Sequence, residues 1–528
     1  MPWSLSTHFA LLLPISIAAI AFADNLRRKK GASLPLPPGP KPLPFIGSVL
    51  AIDSNKPWET YSKWGELYGS IIYARFLNQD VIIVNSEKIA KDLMERRSKI
   101  YSDRPFIATV EPFGWSFNFA LSPYGDLWRT CRRFIHQTFR PESSLNFRPM
   151  QLEKAHQLLV NLLQTPEDCF AHVSTYTAAI GMSSVYDYDV LPRNDPMVET
   201  INKALFLGIR VMTPERSMLL GALPFLARLP SWLPGATISR DAELSRRYVA
   251  DMIEQPLKYL QDNIYQSDPS LQTLTLANSC LTSQILQKGQ HTETDGSEKF
   301  DEALRLSTST AFAAAAETTS SVIRFFILAM VLDPSIQERA YAQIKSVTGT
   351  ERMPNFEDRD SLPYIDGIVR ESMRWQPIFP MGVVHATTSD DIYDGCFIPK
   401  GAMIFPNVWA MAHDESIFPN ASEFKPERWL RSDGQLTDAE PPIFTFGFGR
   451  RICPGRHLAD ASIWAAIIYC LTTFQFGKVK DAHGKDIDFV PTYTSGVARQ
   501  PERFPLRIIP RIPDLDVDKL SQLVRAGE

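Results

Sequence analysis

Cysteine is scarce in this sequence: six cysteines occur among 528 residues, and they form no CxxC pair and no dense cluster. A fold stapled by disulfide bonds concentrates its cysteines, so the scattered spacing excludes a disulfide scaffold and favours a reducing compartment. One of the six, Cys453, stands among glycines and basic residues in the stretch "FTFGFGRRICPGRHLAD" (444–460). That setting singles out Cys453 as the thiol with a chemical task.

An excess of basic residues is also missing, since the formal net charge is −4 and the isoelectric point is near 6.2. Proteins that bind nucleic acid normally carry a strong basic surplus. We therefore expect no nucleic-acid partner. The chain shows no internal repeat, and we expect a monomer.

Charge is absent from the first 23 residues, and fifteen of the 21 residues in 3–23 are apolar. A helix of this length just spans a bilayer core of roughly 30 Å. A cleaved signal peptide is the alternative, because Ala21-Phe22-Ala23 resembles a cleavage site. Basic residues follow the apolar run and none precedes it, which favours an uncleaved anchor over residues 1–26 with the rest of the chain in the cytosol.

A basic and proline-rich linker over residues 27–47 follows the predicted anchor. Proline fixes φ and lacks an N–H group, so we expect a stiff, non-helical connector; a plain disordered linker is the alternative. Residues 48–528 are predicted to form one large domain, mainly α with a smaller β part. Within it, residues 70–86 predict a β-hairpin that turns at 78–80, and residues 299–332 predict one long helix.

The centre of that long helix reads "TAFAAAAETTSSVIRFF" (310–326). Its alanines, Ala314 among them, leave little side-chain bulk, so a flat and rigid object can lie against the backbone. Glu317 and Thr318 follow at once, and buried polar groups of this kind cost about 1–3 kcal/mol unless they are partnered. The alternative is that alanine is simply the best helix former and that Glu317 points to solvent.

A second pattern pairs Glu371 with Arg374 at i and i+3 of an amphipathic segment. Such pairs are usually solvated and contribute a few tenths of a kcal/mol. Arg428 lies between Pro426 and Trp429, where a freely mobile charge is unexpected. If Arg428 reaches Glu371, the three form a partly buried network with bidentate geometry.

Around Cys453, glycines permit tight turns, and Arg450 and Arg451 are expected to lower the pKa of the thiol. Three uses of the thiol compete. A nucleophile would want His457 as its base. A zinc site would use Cys453 and His457 but lacks a second ligand pair. An axial thiolate to haem iron needs one cysteine, a glycine-rich loop and arginines for the propionates, and only this use engages all the parts.

With these motifs in view the chain resembles a cytochrome P450, a haem-thiolate monooxygenase, from the anchor to the C-terminus. The family's pattern FxxGxRxCxG is met by Phe446, Gly449, Arg451, Cys453 and Gly455. Further motifs follow in the family's order: WxxxR as Trp128 and Arg132, [AG]Gx[DE]T as Ala314 to Thr318, ExxR as Glu371 and Arg374, PERF as 426–429 with Trp for Phe, and a propionate-binding position at His385. Ala315 replaces the usual glycine, which predicts an altered local distortion of the helix.

The resemblance implies haem b with Cys453 as the axial ligand of the iron. Trp128, Arg132, His385 and Arg451 are then the propionate partners, Glu317 and Thr318 manage proton delivery to bound O2, and Glu371, Arg374 and Arg428 hold the scaffold. The chain has no NADPH or flavin fingerprint, so NADPH electrons are expected from a partner cytochrome P450 reductase. An endoplasmic reticulum location with one membrane span follows from the anchor.

The proline-rich segment is typical of microsomal members, and the sequence as a whole resembles fungal monooxygenases of secondary metabolism. Aromatic residues from Phe106 to Phe119 predict an apolar small-molecule substrate, with a terpenoid first and polyketide, indole or fatty-acyl compounds as alternatives. A haem-thiolate isomerase or dehydratase that needs no O2 is a rival enzyme. A haem-binding sensor is the non-enzyme rival.

Overall fold

The computed structural model describes residues 34–211, 214–230, 232–233, 236–266, 280–289 and 297–527. The predicted anchor (1–26), its alternative cleavage site and the first part of the linker lie outside these residues. The chain forms two compact units, which are described separately. Unit 1 comprises residues up to Pro105 together with Val383–Ala410, and unit 2 comprises Phe106–Gly382 and Met411–Glu528.

Helices dominate the described chain, as the sequence predicts. In chain order they are α1 Pro57–Tyr68, α2 Glu87–Lys91, α3 Ser98–Tyr101, α4 Asp126–Phe139, α5 Pro141–Ser144, α6 Arg148–Gln164, α7 Cys169–Tyr186, α8 Pro196–Val211, α9 Pro214–Ala222, α10 Thr237–Gln266, α11 Leu281–Gly289, α12 Ser297–Leu332, α13 Pro334–Thr348, α14 Pro363–Trp375, α15 Val408–Ala412, α16 Arg456–Thr473 and α17 Val517–Arg525.

Within the described residues the strands are short and form three small sheets. In chain order they are β1 Ile71–Phe76, β2 Gln79–Val84, β3 His385–Ala386, β4 Asp391–Tyr393, β5 Cys396–Ile398, β6 Met403–Pro406, β7 Phe474–Gly477 and β8 Arg507–Pro510. Unit 1 holds a four-stranded sheet of order β1-β2-β6-β3, in which β2 and β6 run parallel, and the β4-β5 hairpin. Unit 2 holds the antiparallel pair β7-β8.

The predicted hairpin is confirmed with a tighter turn than expected. Strands β1 and β2 pair antiparallel from Ile71 opposite Val84 to Phe76 opposite Gln79, so only Leu77 and Asn78 lie between them. Leu77 adopts a left-handed φ of 54°. Gln79 and Asp80, which the sequence places in the turn, are the first residues of β2.

The described part of the proline-rich segment is non-helical, as predicted, and it is attached to strand β1. Tyr73 donates its N–H to the carbonyl of Pro38 at 3.0 Å, and Leu77 donates to Ile46 at 3.1 Å. Gly39 approaches the Tyr73 carbonyl so closely that a Cβ there would lie 1.8 Å from its oxygen. The described end of the predicted connector is therefore hydrogen-bonded to unit 1.

The long predicted helix forms as α12 and begins two residues earlier than expected. Among the described residues it is the helix long and apolar enough to cross a membrane, counted over Glu298–Leu332, but 72% of its apolar window is buried inside the protein. Its middle and C-terminal half belong to the core of unit 2, where Phe312, Ile323 and Phe326 are fully buried. Helix α12 is a core helix, and its apolar composition reflects this burial.

Helix α7 is the main partner of α12, and a glycine lets the two approach. A Cβ built on Gly181 of α7 would lie 3.2 Å from the Cβ of Ala315 and 3.5 Å from the ring of Phe312. One turn earlier on α7, the Thr177 hydroxyl donates to the carbonyl of Ala316 at 2.7 Å. The methyl group that Ala315 adds to the expected glycine pattern is thus accommodated by a missing side chain on the facing helix.

This packing predicts that Gly181→Ala destabilises the protein by about 1–3 kcal/mol, because a new methyl group in a tight contact forces the helices apart. Elsewhere in a helix the same change stabilises by about 0.5–1 kcal/mol. Gly221→Ala on α9 is the matched control, since its nearest neighbour is 4.0 Å away. Denaturant unfolding of both variants measures the difference.

A double-mutant cycle locates the conflict. Ala315→Gly alone should cost about 1 kcal/mol through helix propensity, whereas combined with Gly181→Ala it should recover part of the loss. Additive effects of the two changes would contradict the proposed contact.

Candidate active site around Cys453

The loop that carries Cys453 precedes helix α16 and is shaped by two left-handed glycines, Gly447 with φ 83° and Gly449 with φ 57°. Cys453 donates its N–H to the carbonyl of Phe446 at 2.8 Å, which closes the loop. The Gly455 N–H points at the Cys453 sulfur. Gly455 itself has φ −89°, so its conformation is open to other residues, and its contribution here is the amide.

Two guanidinium groups lie near the sulfur. Burial raises the pKa of the Cys453 thiol, and the Gly455 amide and the charges of Arg132 and Arg456 oppose that rise. The expectation that Arg450 and Arg451 lower this pKa is wrong. One of the two cations, Arg456, comes from the adjacent sequence, and the other is Arg132, which is 321 positions away on α4 and donates to the carbonyl of Ile452.

Arg451 stacks on the other motif residue of α4. Its guanidinium carbon lies 4.5 Å from the ring centre of Trp128, and it donates to the carbonyl of Ser122 at 2.9 Å. Arg450 points elsewhere and donates to the hydroxyl of Tyr124 at 2.7 Å. Trp128 and Arg132, four residues apart on one helix, thus flank the Cys453 loop together with Arg451, and the structure brings these three predicted cofactor residues together.

His385 belongs to unit 1, where it occupies strand β3 and is buried. Its Nδ1 donates to the carbonyl of Tyr101 at 2.8 Å, which sets the orientation of the ring. The buried Arg104 donates to the carbonyls of Val383 and Val384 at 2.8 and 2.6 Å, directly before His385 in the chain. Arg104 could not be singled out from the sequence, because a lone arginine in a loop has no periodic or motif context.

The polar notch of α12 also forms. Ala314 is exposed although Ala313 and Ala316 beside it are only 6% and 5% exposed, so this face of a core helix is left accessible. Thr318 donates its hydroxyl to the Ala314 carbonyl at 3.0 Å. Burial raises the pKa of Glu317, while Arg324 and a hydrogen bond with Gln500 oppose the rise. Glu317 therefore does not point freely to solvent, which rejects that alternative.

Glu371 and Arg374 form a buried ion pair, not the solvated pair usual for this spacing. Both side chains are fully buried, and Arg374 binds the Glu371 carboxylate in a bidentate manner at 2.9 and 2.6 Å. Arg428 joins through its Nε at 3.0 Å, as the sequence hypothesis required. Arg374 also donates to the carbonyls of Ala412 and Ala421, so its guanidinium group is hydrogen-bonded beyond the ion pair as well.

Trp429 adds a contact that the sequence did not predict. Its indole N–H donates to the second oxygen of Glu371 at 2.9 Å, and the Lys425 N–H donates to the first at 2.9 Å. Trp429 stands where the resembled family has phenylalanine. The substitution therefore supplies an additional donor to a buried carboxylate.

Most of the aromatic loop that predicted a substrate wall is core. Phe113, Trp115, Phe117 and Phe119 are buried in the hydrophobic cluster of unit 2, whereas Phe106 is 83% exposed. Gly208 on α8 makes room for Trp115, since a Cβ there would lie 2.0 Å from the indole. Four of these five aromatic residues are therefore core residues.

His457 lies in the first turn of α16 and is partly buried, and burial lowers its pKa. Within the described residues its Nε2 has no hydrogen-bond partner, and Cys453 is not bonded to it. In the same part of the chain no group of three or more His, Cys, Asp or Glu residues is placed to hold a metal ion. The histidine base and the zinc pair thus receive no supporting contact.

The residues of unit 2 fit the haem group that the family resemblance implies. A thiolate ligand needs positive charge and amide donors around its sulfur, and Arg132, Arg456 and the Gly455 N–H supply them. A flat macrocycle needs a small-residue surface, and Ala314 presents one. The donor set thus matches an anionic, planar cofactor bound through one sulfur.

Comparison with known proteins agrees with this geometry. The family model described as "Cytochrome P450" matches residues 37–507. The chain is 37% identical over 512 residues to cytochrome P450 monooxygenase ple1 of Rhodocybe pseudopiperita, covering 96% of this chain and 95% of that protein. It is 34% identical to cytochrome P450 monooxygenase claR of Ampulloclitocybe clavipes (93% of this chain, 88% of the relative) and 34% identical to tryptamine 4-monooxygenase of Psilocybe cyanescens (96% and 98%).

The Glu371 network predicts that Trp429→Phe lowers the free energy of unfolding by about 1.5–3 kcal/mol, the usual range for a hydrogen bond to a charged group. Trp375→Phe is a matched control, because its buried indole donates to a neutral carbonyl, that of Ser422, at 2.7 Å. That change should cost about 0.5–1.5 kcal/mol beyond the shared loss of ring area. Equal losses in denaturant unfolding would show that the indole bond to the Glu371 carboxylate stabilises the protein no more than the bond to a neutral carbonyl.

Proposed function

Since the chain belongs to the cytochrome P450 family and is a haem-thiolate monooxygenase, we propose that it hydroxylates an apolar small molecule in fungal secondary metabolism. The observation that carries the proposal is the half-buried Cys453, whose sulfur has the Gly455 amide and two arginines around it. Haem bound there supplies an iron centre at which the thiolate favours O–O bond cleavage. Per turnover one oxygen atom enters a C–H bond, and the other leaves as water with two electrons and two protons.

Glu317 and Thr318 are assigned to proton delivery. Thr318 is held by its bond to the Ala314 carbonyl, so its hydroxyl stays on the accessible face of α12. Glu317 lies next to it and has a pKa raised by burial, which brings it closer to the pH at which it can accept and release protons. Thr318 orients the proton path, and Glu317 takes protons from the interior side.

Four residues are assigned to the haem propionates: Arg132, Arg451, Trp128 and His385. The stacking of Arg451 on Trp128 fixes the guanidinium plane, which suits bidentate binding of a carboxylate. Arg132 has a pKa lowered by burial, so an anion beside it is favoured. Phe446 and Gly449 set the loop, and Glu371, Arg374 and Arg428 anchor the scaffold behind it.

Electrons are proposed to come from NADPH through a partner reductase on the same membrane. We place the protein at the endoplasmic reticulum, with residues 1–26 as a single-span anchor, residues 27–47 as the connector and residues 48–528 as one cytosolic haem domain. The charge pattern of the N-terminal sequence supports this orientation.

The substrate is proposed to be apolar, with a terpenoid as the first candidate. An indole compound is the second candidate, and the relative named tryptamine 4-monooxygenase supports keeping it. That name describes the relative, and the identity of 34% leaves the pocket residues free to differ. Polyketide and fatty-acyl compounds remain to be screened with them.

Incubation under labelled O2 with NADPH and a fungal reductase tests the activity. The expected product carries one labelled oxygen atom, because one atom of O2 enters the substrate. A product without label would replace the monooxygenase by an isomerase or dehydratase, and no turnover with any reductase would favour a sensor. Cys453→Ala should abolish both the product and the red-shifted carbon monoxide band of the reduced protein.

The exposed face of α4 is the proposed docking surface for the reductase. Arg129, Arg133 and His136 repeat at helical spacing on α4 and are exposed, as is Arg140 directly after the helix, while Arg456 donates to the Cys453 carbonyl and Arg450 to Tyr124. Within the described residues Arg133 has no ion-pair partner, so its charge is available to an acidic protein surface.

Arg133→Glu should slow reduction by the reductase on the order of 10-fold at low salt, and high salt should shrink the difference, because steering between exposed charges is screened. Lys345→Glu, the same charge change at an exposed site on α13, is the control. Stopped-flow reduction under carbon monoxide measures both. Equal rates for the two variants would move the docking surface away from α4.

A further inference from the structure

A hydrogen-bonded chain links Glu317 to a second charged residue on the same helix. Arg324 follows Glu317 by seven residues, two turns of α12, so both side chains leave the same face of the helix. Between them lies Gln500 from the C-terminal part of unit 2. Its Oε1 accepts from Arg324, and its side chain hydrogen-bonds Glu317. Because the amide oxygen faces Arg324, the NH2 group faces the carboxylate.

Arg324 is held in place from α7. Its Nη2 donates to the Ser174 hydroxyl at 2.6 Å and to the Phe170 carbonyl at 3.3 Å, and the guanidinium stands 5.5 Å from the centre of the Phe170 ring. The arginine is therefore directed by groups unrelated to Glu317. Its charge acts on Glu317 from a fixed position.

Gln500 is also fixed through its backbone. The Gln500 N–H donates to the Thr494 hydroxyl at 3.1 Å, and the Thr494 N–H donates to the Gln500 carbonyl at 3.0 Å. Arg499 beside it donates its N–H to the Ile378 carbonyl at 2.7 Å and stacks on Tyr493. The backbone that carries the Gln500 side chain is thus held by hydrogen bonds at two adjacent residues, Arg499 and Gln500.

We propose that Gln500 and Arg324 are positioning residues that orient the Glu317 carboxylate for proton delivery. The inference rests on the proposed function for the role of Glu317, whereas the bond from Arg324 to Gln500 is independent of that role. Neither residue lies in a family motif, and Gln500 is 183 positions from Glu317 in sequence. The pair gives the buried acid a fixed donor and a compensating charge without direct contact between the arginine and the site.

The charges around Glu317 determine whether a substitution raises or lowers its pKa. Burial raises the pKa of Glu317, whereas Arg324 and the Gln500 amide lower it. Burial and the charge of Arg503 lower the pKa of Arg324, whereas Glu317 and Cys169 raise it. Removal of Gln500 or Arg324 therefore raises the pKa of Glu317 further, so the carboxyl group stays protonated to a higher pH.

The test uses Gln500→Leu and Arg324→Met in the full-length holoprotein, with Arg324→Lys as the conservative variant. Gln475→Leu is the matched control, because Gln475 donates to an exposed glutamate, Glu338, at 3.1 Å. Infrared spectra of the resting protein across a pH series report the C=O stretch of a protonated carboxyl group. The Glu317 component is the part that disappears when Glu317→Gln is added.

We expect that component to persist to higher pH in Gln500→Leu and Arg324→Met, and Arg324→Lys to restore most of the wild-type profile. In turnover, the fraction of electrons lost to peroxide should rise on the order of 10-fold, part of the roughly 100- to 10,000-fold that a positioned proton-transfer group contributes. Unchanged spectra in both variants, or the same response in Gln475→Leu, would overturn the proposal. Because the infrared signal needs no turnover, a failed monooxygenase assay with a shifted signal would reject the proposed function and keep the positioning role.

Discussion

The buried carboxylate of Glu371 is the constraint on which the Cys453 side of unit 2 depends. It accepts five hydrogen bonds, two from Arg374 and one each from Arg428, Trp429 and the Lys425 backbone. A charge without these partners costs several kcal/mol to bury, so the donors must arrive together. Three of the four donor residues lie in 425–429, a segment that the chain passes before it enters the Cys453 loop. The network therefore fixes helix α14 and this segment against each other.

Helix α12 carries polar groups through the apolar core of unit 2, and these groups also need hydrogen-bond partners. Three of them have partners from other parts of unit 2: Thr310 donates to the Phe117 carbonyl, the Ala316 carbonyl accepts from Thr177, and Glu317 interacts with Gln500. These bonds cost little in a folded core because the partners are themselves fixed. In the middle of the helix they leave Ala314 exposed and Thr318 partly exposed, which is where a cofactor and a small molecule require space.

The sequence predicted what local pattern and motif spacing determine. The long helix, the hairpin, the non-helical proline-rich segment and the meeting of Glu371, Arg374 and Arg428 all followed from periodicity or from residue order. The partners chosen by tertiary packing were missed. Arg132, and not Arg451, sets the charge beside the sulfur with Arg456, because α4 crosses the loop from a distant part of the chain. Gln500 and Arg104 stand in stretches without any pattern, so nothing in the sequence could assign them partners.

Two departures from the family pattern show how such partners preserve a site. Ala315 adds a methyl group where glycine is usual, and Gly181 on α7 removes one at the point of contact. Trp429 replaces phenylalanine, and its extra N–H donates to the negatively charged carboxylate of Glu371. In both cases a residue outside that particular motif contacts the changed position directly and compensates for the change in volume or polarity. A motif departure is therefore best judged together with the residue that faces it, since the pair, and not the motif position alone, determines whether the helix and the carboxylate keep their places.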